Sequence, residues 1–330
     1  MDSPKPCIIY PALGNPGWEE QFILSDVLRT TTAGTRNVIR YTTLDVNDWK
    51  QKPNVNDIIG RNIFVYSSNF WRYPHIRNFV KFIRPIIIFH LSDESGNKEA
   101  HQLLALHTPL LIRQYFYNHY KHFSNIHYIP LGYMSGMMES NYMDIPLKLP
   151  TERKYAWSFI GCPNKSDRPI MLQKMSEITP HVMGKMSSTD MRDLYRDTVF
   201  VPVGRGFSSL DCFRIYEASI CGAIPIIVGD AKEIKATFSR EVNPPCLFFS
   251  TWSEAVYECK YLLKDTQSLN KKSRAVSSWW TNQVNRIRSI VENTIDKHSG
   301  DKPEPGVLFP TRRIRLKPRS TFPVQSLTCI

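Results

Sequence analysis

Residues 201–230, VPVGRGFSSLDCFRIYEASICGAIPIIVGD, decide how the rest of the chain is read. They open on the end of an apolar, β-branched run, 198–203, of the kind a buried parallel strand requires. Gly204, Arg205 and Gly206 follow as a glycine turn, residues 209–221 carry a helical period, and Gly222 leads into a second apolar strand, 224–228. Strand, glycine loop, helix and strand in this order form the repeating unit of a parallel α/β sheet, with an anion site at the helix N-terminus.

Each part of the block has a chemical reading. Gly204 and Gly206 let the backbone approach a ligand closely, and Ser208 and Ser209 are expected to cap the helix and offer hydroxyls. The helix dipole favours an anion at this end, and Arg205 and Arg214 add two permanent charges with forked donors suited to a diphosphate. Leu210, Arg214, Glu217 and Cys221 are spaced by four, three and four residues and therefore share one helix face. A carboxylate one turn beyond a phosphate-binding arginine is placed to accept hydrogen bonds from a ribose diol, which makes Glu217 the expected ribose ligand. The plainer alternative is an intrahelical Arg214–Glu217 ion pair, worth a few tenths of a kcal/mol, beside ordinary turn glycines.

Working outward, the same rhythm runs through the chain. Short apolar strands are expected at 7–10, 62–67, 86–91, 110–115 and 126–129, with helices at 19–29 and 100–106. After 134–150, which has no clear period and contains Pro146 and Pro150, strands recur at 156–160, 181–183, 198–203, 224–228 and 247–249, alternating with helices. The expected organisation is a Rossmann-like domain at 1–150, a second at 151–297 and a basic, proline-containing tail at 298–330 that carries Arg312, Arg313, Arg315, Lys317 and Arg319. A long helix at 271–296, with Trp279 and Trp280, is expected either to dock across the two domains or to be a plain terminal helix.

A chain of 330 residues with 42% hydrophobic content can bury two moderate cores. The formal charge of +12 owes much to the tail, and the milder basic body suits a nucleic acid or a nucleotide diphosphate equally. The 7 cysteines stand singly, without a zinc-site spacing, and are read as thiols in a reducing compartment. No stretch approaches the ~20 apolar residues of a membrane span, so the chain as given is expected in the cytosol.

If the second domain holds a nucleotide, the first must supply whatever deprotonates an acceptor. Asp93 and Glu94 follow the apolar strand 86–91 at its carboxyl edge, with His90 beside them; the alternative is that Ser92 or Asp93 caps a turn. Tyr115, Phe116, Tyr117, Tyr120 and Phe123, interleaved with His119, Lys121 and His122, suit stacking on sugars or bases, or a place in the core. Gly161, Lys165 and Arg168 lie just after the strand 156–160, where parallel sheets bind ligands, as further donor-site candidates; Lys165 and Arg168 are otherwise ordinary solvated charges.

The segment FRIYEASICGAIPIIVG, 213–229, resembles the donor-site signature of exostosin-like glycosyltransferases, commonly called family 47. LSDE at 91–94, IPLGY at 129–133 and SFIGCPNKSDRP at 158–169 resemble blocks of its ribitol xylosyltransferase-like members and of glycosyltransferases from large DNA viruses. The resemblance implies a GT-B fold, two Rossmann-like domains facing a central cleft, with a nucleotide sugar on the second domain held by Arg205, Arg214 and Glu217. It also implies inversion at the anomeric carbon, a UDP-sugar donor with UDP-xylose as the first choice, and an oligosaccharide or glycoprotein acceptor. No Asp-x-Asp triplet occurs in the chain, and that is the motif by which GT-A enzymes hold a divalent metal; no metal and no cofactor beyond the nucleotide sugar are expected. The cellular enzymes work in the Golgi lumen behind an N-terminal anchor, so that compartment applies if an anchor was removed, and otherwise the cytosol, including that of a virus-infected cell. A non-catalytic glycan-binding relative and a basic nucleic-acid-binding protein are the alternatives; the second leaves the 204–217 block unexplained.

Overall fold

The computed structural model describes residues 6–12, 17–29, 36–67, 72–96, 99–206, 208–239 and 241–298; the tail expected at 298–330 lies outside them but for His298. Strands β1 (Cys7–Pro11), β2 (Val38–Tyr41), β3 (Asn62–Ser67), β4 (Ile87–Leu91), β5 (Leu110–Arg113) and β6 (Ile126–Tyr128) form one sheet in the order β2-β1-β3-β4-β5-β6. Strands β7 (Tyr155–Ile160), β8 (His181–Gly184), β9 (Thr198–Val203), β10 (Ile224–Val228) and β11 (Leu247–Phe249) form a second, in the order β11-β10-β9-β7-β8. Every pairing is parallel. Central strands such as β3, β4 and β9 are buried at every position, which is why they appear in the sequence as continuous apolar runs rather than as alternation.

The connections are α1 (Val46–Lys50), α2 (Val55–Ile58), α3 (Tyr73–Ile83), α4 (Arg168–Met175), α5 (Ser188–Arg196), α6 (Phe213–Ile220), α7 (Ala231–Thr237) and α8 (Trp252–Leu262), with α9 (Thr266–His298) last. Four of them start on side-chain caps: Asp45 accepts from Asn47 N, Ser187 from Asp190 N, Asp230 from Lys232 N and Glu233 N, and Thr251 from Glu254 N. The helix expected from Ser209 begins only at Phe213. Gly206 N donates to Ser209 O at 2.9 Å and Asp211 N to Ser209 Oγ at 3.0 Å, so this backbone closes a turn first, and neither Ser208 nor Ser209 caps α6. Two other expected helices are not α-helical: Gln21–Val27 is a π-helix and Glu99–His107 is 3₁₀.

Of the two readings of the long helix, docking is the one observed. Trp280 on α9 is 2% exposed, donates Nε1 to Tyr142 Oη at 3.0 Å, and lies 5.4 Å from Phe22 and 6.3 Å from Tyr216, ring centre to ring centre. Phe22 belongs to the first sheet's connections and Tyr216 to α6, so one continuous body of buried side chains runs from sheet to sheet through this tryptophan. A separate apolar cluster, including Trp157, Met171 and Trp252, fills the opposite face of the second sheet. Among the described residues no helix is long and apolar enough to cross a membrane.

Candidate functional site

In the second sheet β7 lies between β8 and β9, so the chain steps one way from β7 and then returns to build in the other direction. Ligands of open parallel sheets bind at such a reversal, beyond the carboxyl ends of the two strands concerned. Here those ends are Ile160 and Val203, followed by Gly161 and Gly204. Gly161 has φ +147° and a Cβ there would collide with Arg214 Nη2, while a Cβ on Gly204 would stand 2.6 Å from Arg168 Cγ. The two glycines therefore admit two arginine side chains over the strand ends.

Both guanidinium groups are anchored by backbone carbonyls. Arg214 Nε donates to Ile160 O at 2.8 Å; Arg168 Nη1 donates to Cys162 O and Nη2 to Arg205 O, each at 3.0 Å. They flank one ring, Phe159, at 5.1 and 5.6 Å from its centre. Among the described residues neither forms an ion pair. Burial first, and then the Arg214 charge, hold Arg168 below the usual arginine range. Arg168 is 4% exposed, which corrects its reading as a solvated charge; Lys165 is exposed. Two close cations without a carboxylate partner favour an anion of two charges with planar or tetrahedral oxygens.

Arg205 points elsewhere, pairing with Glu233 at the start of α7, with 2.5 Å from Nη2 to Oε2. Its own amide donates to Asp167 Oδ1 at 3.2 Å, and Trp252 Nε1 donates to the other oxygen of that carboxylate. Glu217 is 2% exposed and its Oε1 accepts from Met134 N at 3.3 Å. Burial raises its carboxyl to about 7, against the opposing pull of Arg214. No Arg214–Glu217 ion pair is formed among the described residues: each side chain is held by a neighbouring element instead.

The first sheet contributes the opposite wall. Asp93 is buried, with Oδ2 3.1 Å from Nη2 of the equally buried Arg113, whose guanidinium sits 3.7 Å from the centre of the Tyr120 ring. Glu94 reaches across: its Oε1 accepts from Ser208 N at 2.8 Å, and its carbonyl accepts from Ser208 Oγ at 3.0 Å and from Tyr117 Oη. His90 is buried against Tyr66, ring centres 4.7 Å apart, and burial lowers its pKa well below the usual histidine range, which leaves a neutral core imidazole. A cavity of about 590 Å³ opens between the sheets, lined by Tyr115, Tyr117, His119, Ser208, Ser209 and Glu233 among others. Part of the aromatic stretch thus faces the glycine loop, while Tyr120 and Phe123 belong to the core.

Two carboxylates at this interface were not singled out from the sequence. Glu19 is 2% exposed, and burial raises it to about 8. Its Oε1 accepts from Gln114 Nε2 at 3.2 Å, and its Oε2 has no partner among the described residues. Asp211, also buried, is raised to about 7 by burial and accepts from Tyr216 Oη at 2.6 Å. The only sequence signal for Glu19 was its place soon after the first strand, and GWEEQ looks like a solvated helix start. Among the described residues no group of three or more His, Cys, Asp or Glu is placed to hold a metal ion.

The fold is an α/β arrangement of two parallel sheets. Among solved structures, it is similar to Anabaena HepE, crystallised with UDP and glucose, at a TM-score of 0.50 and 10% identity over 88% of this chain and 100% of that one. It is also similar to an alpha-glucosyltransferase crystallised with UDP and a 13-mer DNA containing an HMU base, at a TM-score of 0.52 and 10% identity over 88% of this chain and 100% of that one. At this identity the likeness is one of fold. No protein-family profile and no curated protein matches the chain.

Proposed function

We propose that the protein is a glycosyltransferase of GT-B type, with Rossmann-like domains at 1–150 and 151–297, that transfers a sugar from a UDP-sugar to an acceptor hydroxyl in the cleft between them. The observation that carries this reading is the Arg168–Arg214 pair, in which neither side chain forms an ion pair among the described residues, held over the reversal point of the second sheet. A leaving diphosphate needs such charge, and two arginines supply it without a metal. Glu217, one turn along α6, takes the ribose diol, and Arg205 joins the phosphates when it leaves Glu233. The two solved structures named above were crystallised with UDP, which supports uridine as the base. The resemblance to exostosin-like enzymes supports xylose as the sugar, a glycan hydroxyl as the acceptor, and inversion.

The test is nucleotide binding. Calorimetric titration with UDP, GDP and CMP, with and without EDTA, should show UDP bound at least tenfold more tightly than the others and unaffected by the chelator. Binding of none of the three, or of UDP equally in an Arg168→Ala, Arg214→Ala double variant, would remove the reading.

A further inference from the structure

We infer that Glu19 is the general base of the transfer, taking the proton from the attacking hydroxyl; this rests on the UDP-sugar reading above and adds a catalytic residue to it.

Asp93, Glu94 and Glu19 are acidic side chains that follow strands of the first sheet, β4 for the first two and β1 for the third. Asp93 is neutralised by Arg113 inside the core. Glu94 has its Oε1 on the Ser208 amide, where it ties the two halves together. Glu19 alone of the three is held through one oxygen, by Gln114, while the other is buried with no partner among the described residues. A buried, unpartnered carboxylate oxygen is costly, and an incoming hydroxyl is a donor that satisfies it.

Its position is fixed toward the donor site by a chain of hydrogen bonds. Ser135 Oγ donates to Gly17 O at 2.8 Å and accepts from Gln21 N at 3.1 Å, and Gly136 N donates to Gln21 Oε1 at 2.9 Å. The segment bearing Glu19 is thereby stapled to residues 135–136, and the amide next to them, Met134 N, is the one that bonds Glu217. Gln114 closes the circuit by donating to Leu131 O at 3.1 Å. Base and ribose carboxylate are thus both tied to the segment 131–136.

The charged and titratable groups facing Glu19 are Tyr10 from β1 and Tyr115 from the end of β5, beside the neutral Gln114. No cation is among the causes of its raised pKa, so burial sets the carboxyl at about 8 and makes it a better base, once ionised, than an ordinary carboxylate. In the step itself the acceptor oxygen bonds to the anomeric carbon, the bond from that carbon to the β-phosphate oxygen breaks, and UDP departs with the electron pair. The acceptor proton passes to Glu19 and then to solvent. Without an acceptor, water takes the same place and the donor is hydrolysed.

The experiment follows UDP release from UDP-xylose and UDP-glucose in water, with UDP affinity measured alongside by calorimetry. Wild type should hydrolyse one of them at a rate that rises with pH through an ionisation near 8. Glu19→Gln, an isostere that keeps the Gln114 contact, should lose at least 100-fold in kcat and lose that ionisation, with KM and UDP affinity unchanged. A Glu19→Gln variant that hydrolyses at the wild-type rate overturns the assignment, as does a wild type that binds UDP yet hydrolyses neither donor. A variant whose kcat, KM and Tm fall together with the pH profile intact shows a structural role instead. Absence of UDP binding in wild type marks the different failure, that of the donor-site reading.

Discussion

Arg214 lies across Gly161, its Nε bonded to the Ile160 carbonyl at 2.8 Å, in a space that no side chain at Gly161 could share. The strand end was left bare so that a charge from α6 could cross it. Gly161→Ala introduces a Cβ where the guanidinium sits and strains a backbone at φ +147°. The guanidinium is the flexible partner and moves aside, so the fold persists. UDP affinity should fall about tenfold or more, the loss of one charge-assisted contact of roughly 1.5–3 kcal/mol. Circular dichroism and calorimetry on the same sample check both halves of this expectation; native affinity in the variant would mean that Arg214 does not touch the nucleotide.

In the proposed donor site, Glu233 competes for a charge that a nucleotide sugar would use. In the ligand-free protein it holds Arg205, whose side chain is about a third exposed, so the pair itself adds little to stability. Glu233→Gln should leave Tm nearly unchanged and tighten UDP several-fold, because Arg205 no longer has to be withdrawn from a carboxylate. Arg205→Ala should weaken UDP instead. Equal affinities in wild type and Glu233→Gln would place Arg205 outside the donor site.

Glu217 and Asp211 make stability depend on pH. Both carboxyls titrate at about 7 in the folded protein, above their ordinary values, because burial disfavours the charge. A raised folded value means that their contribution is complete below the ordinary carboxylate range and is lost as pH rises through about 7. The ligand-free protein should therefore lose Tm steadily between pH 5 and pH 8. Glu217→Gln, which never ionises, should flatten that slope and melt on the order of 1–2 °C above wild type at pH 8, the shift expected of about 1 kcal/mol in a chain of 330 residues. It should also bind UDP more weakly at every pH. Superimposable slopes in thermal scans of the two proteins would show that Glu217 is not the group responsible.

The strands of both sheets were largely legible, since buried parallel strands are apolar throughout and 62–67, 198–203, 224–228 and 247–249 coincide with β3, β9, β10 and β11. Strand β2 was not, because it lies at the edge with Arg40 exposed and its four residues form no run. Gly161, Gly204 and Arg214, which meet at the ends of β7 and β9, were also picked out, glycine and arginine being the residues that an anion site demands. What stayed hidden was set by partners distant in sequence. Nothing near Glu19 announces that Gln114, 95 residues away, will hold it, and nothing near Asp93 announces Arg113. Serines before a helix look alike whether they cap it or, as with Ser208 and Ser209, close a turn ahead of it.

Trp280 links the two halves through packing rather than charge. Its ring meets Phe22 and Tyr133 on one side and Tyr216 of α6 on the other, and its Nε1 is the donor to Tyr142 Oη, which itself donates to Asp26 at 2.8 Å. Trp280→Phe keeps most of the ring contact and removes the donor, and since Tyr142 Oη retains Asp26 the cost should stay near 1 kcal/mol. Trp280→Ala empties the space and should cost about 3–5 kcal/mol. Because Tyr216 is one residue before Glu217 on α6, the cavity loosens the helix that carries both Arg214 and Glu217, and UDP affinity should fall along with stability. Urea unfolding and UDP titration of the two variants separate the effects. A Trp280→Ala protein that loses its stability but binds UDP at full strength would show that α9 holds the sheets together without setting the geometry of the donor site.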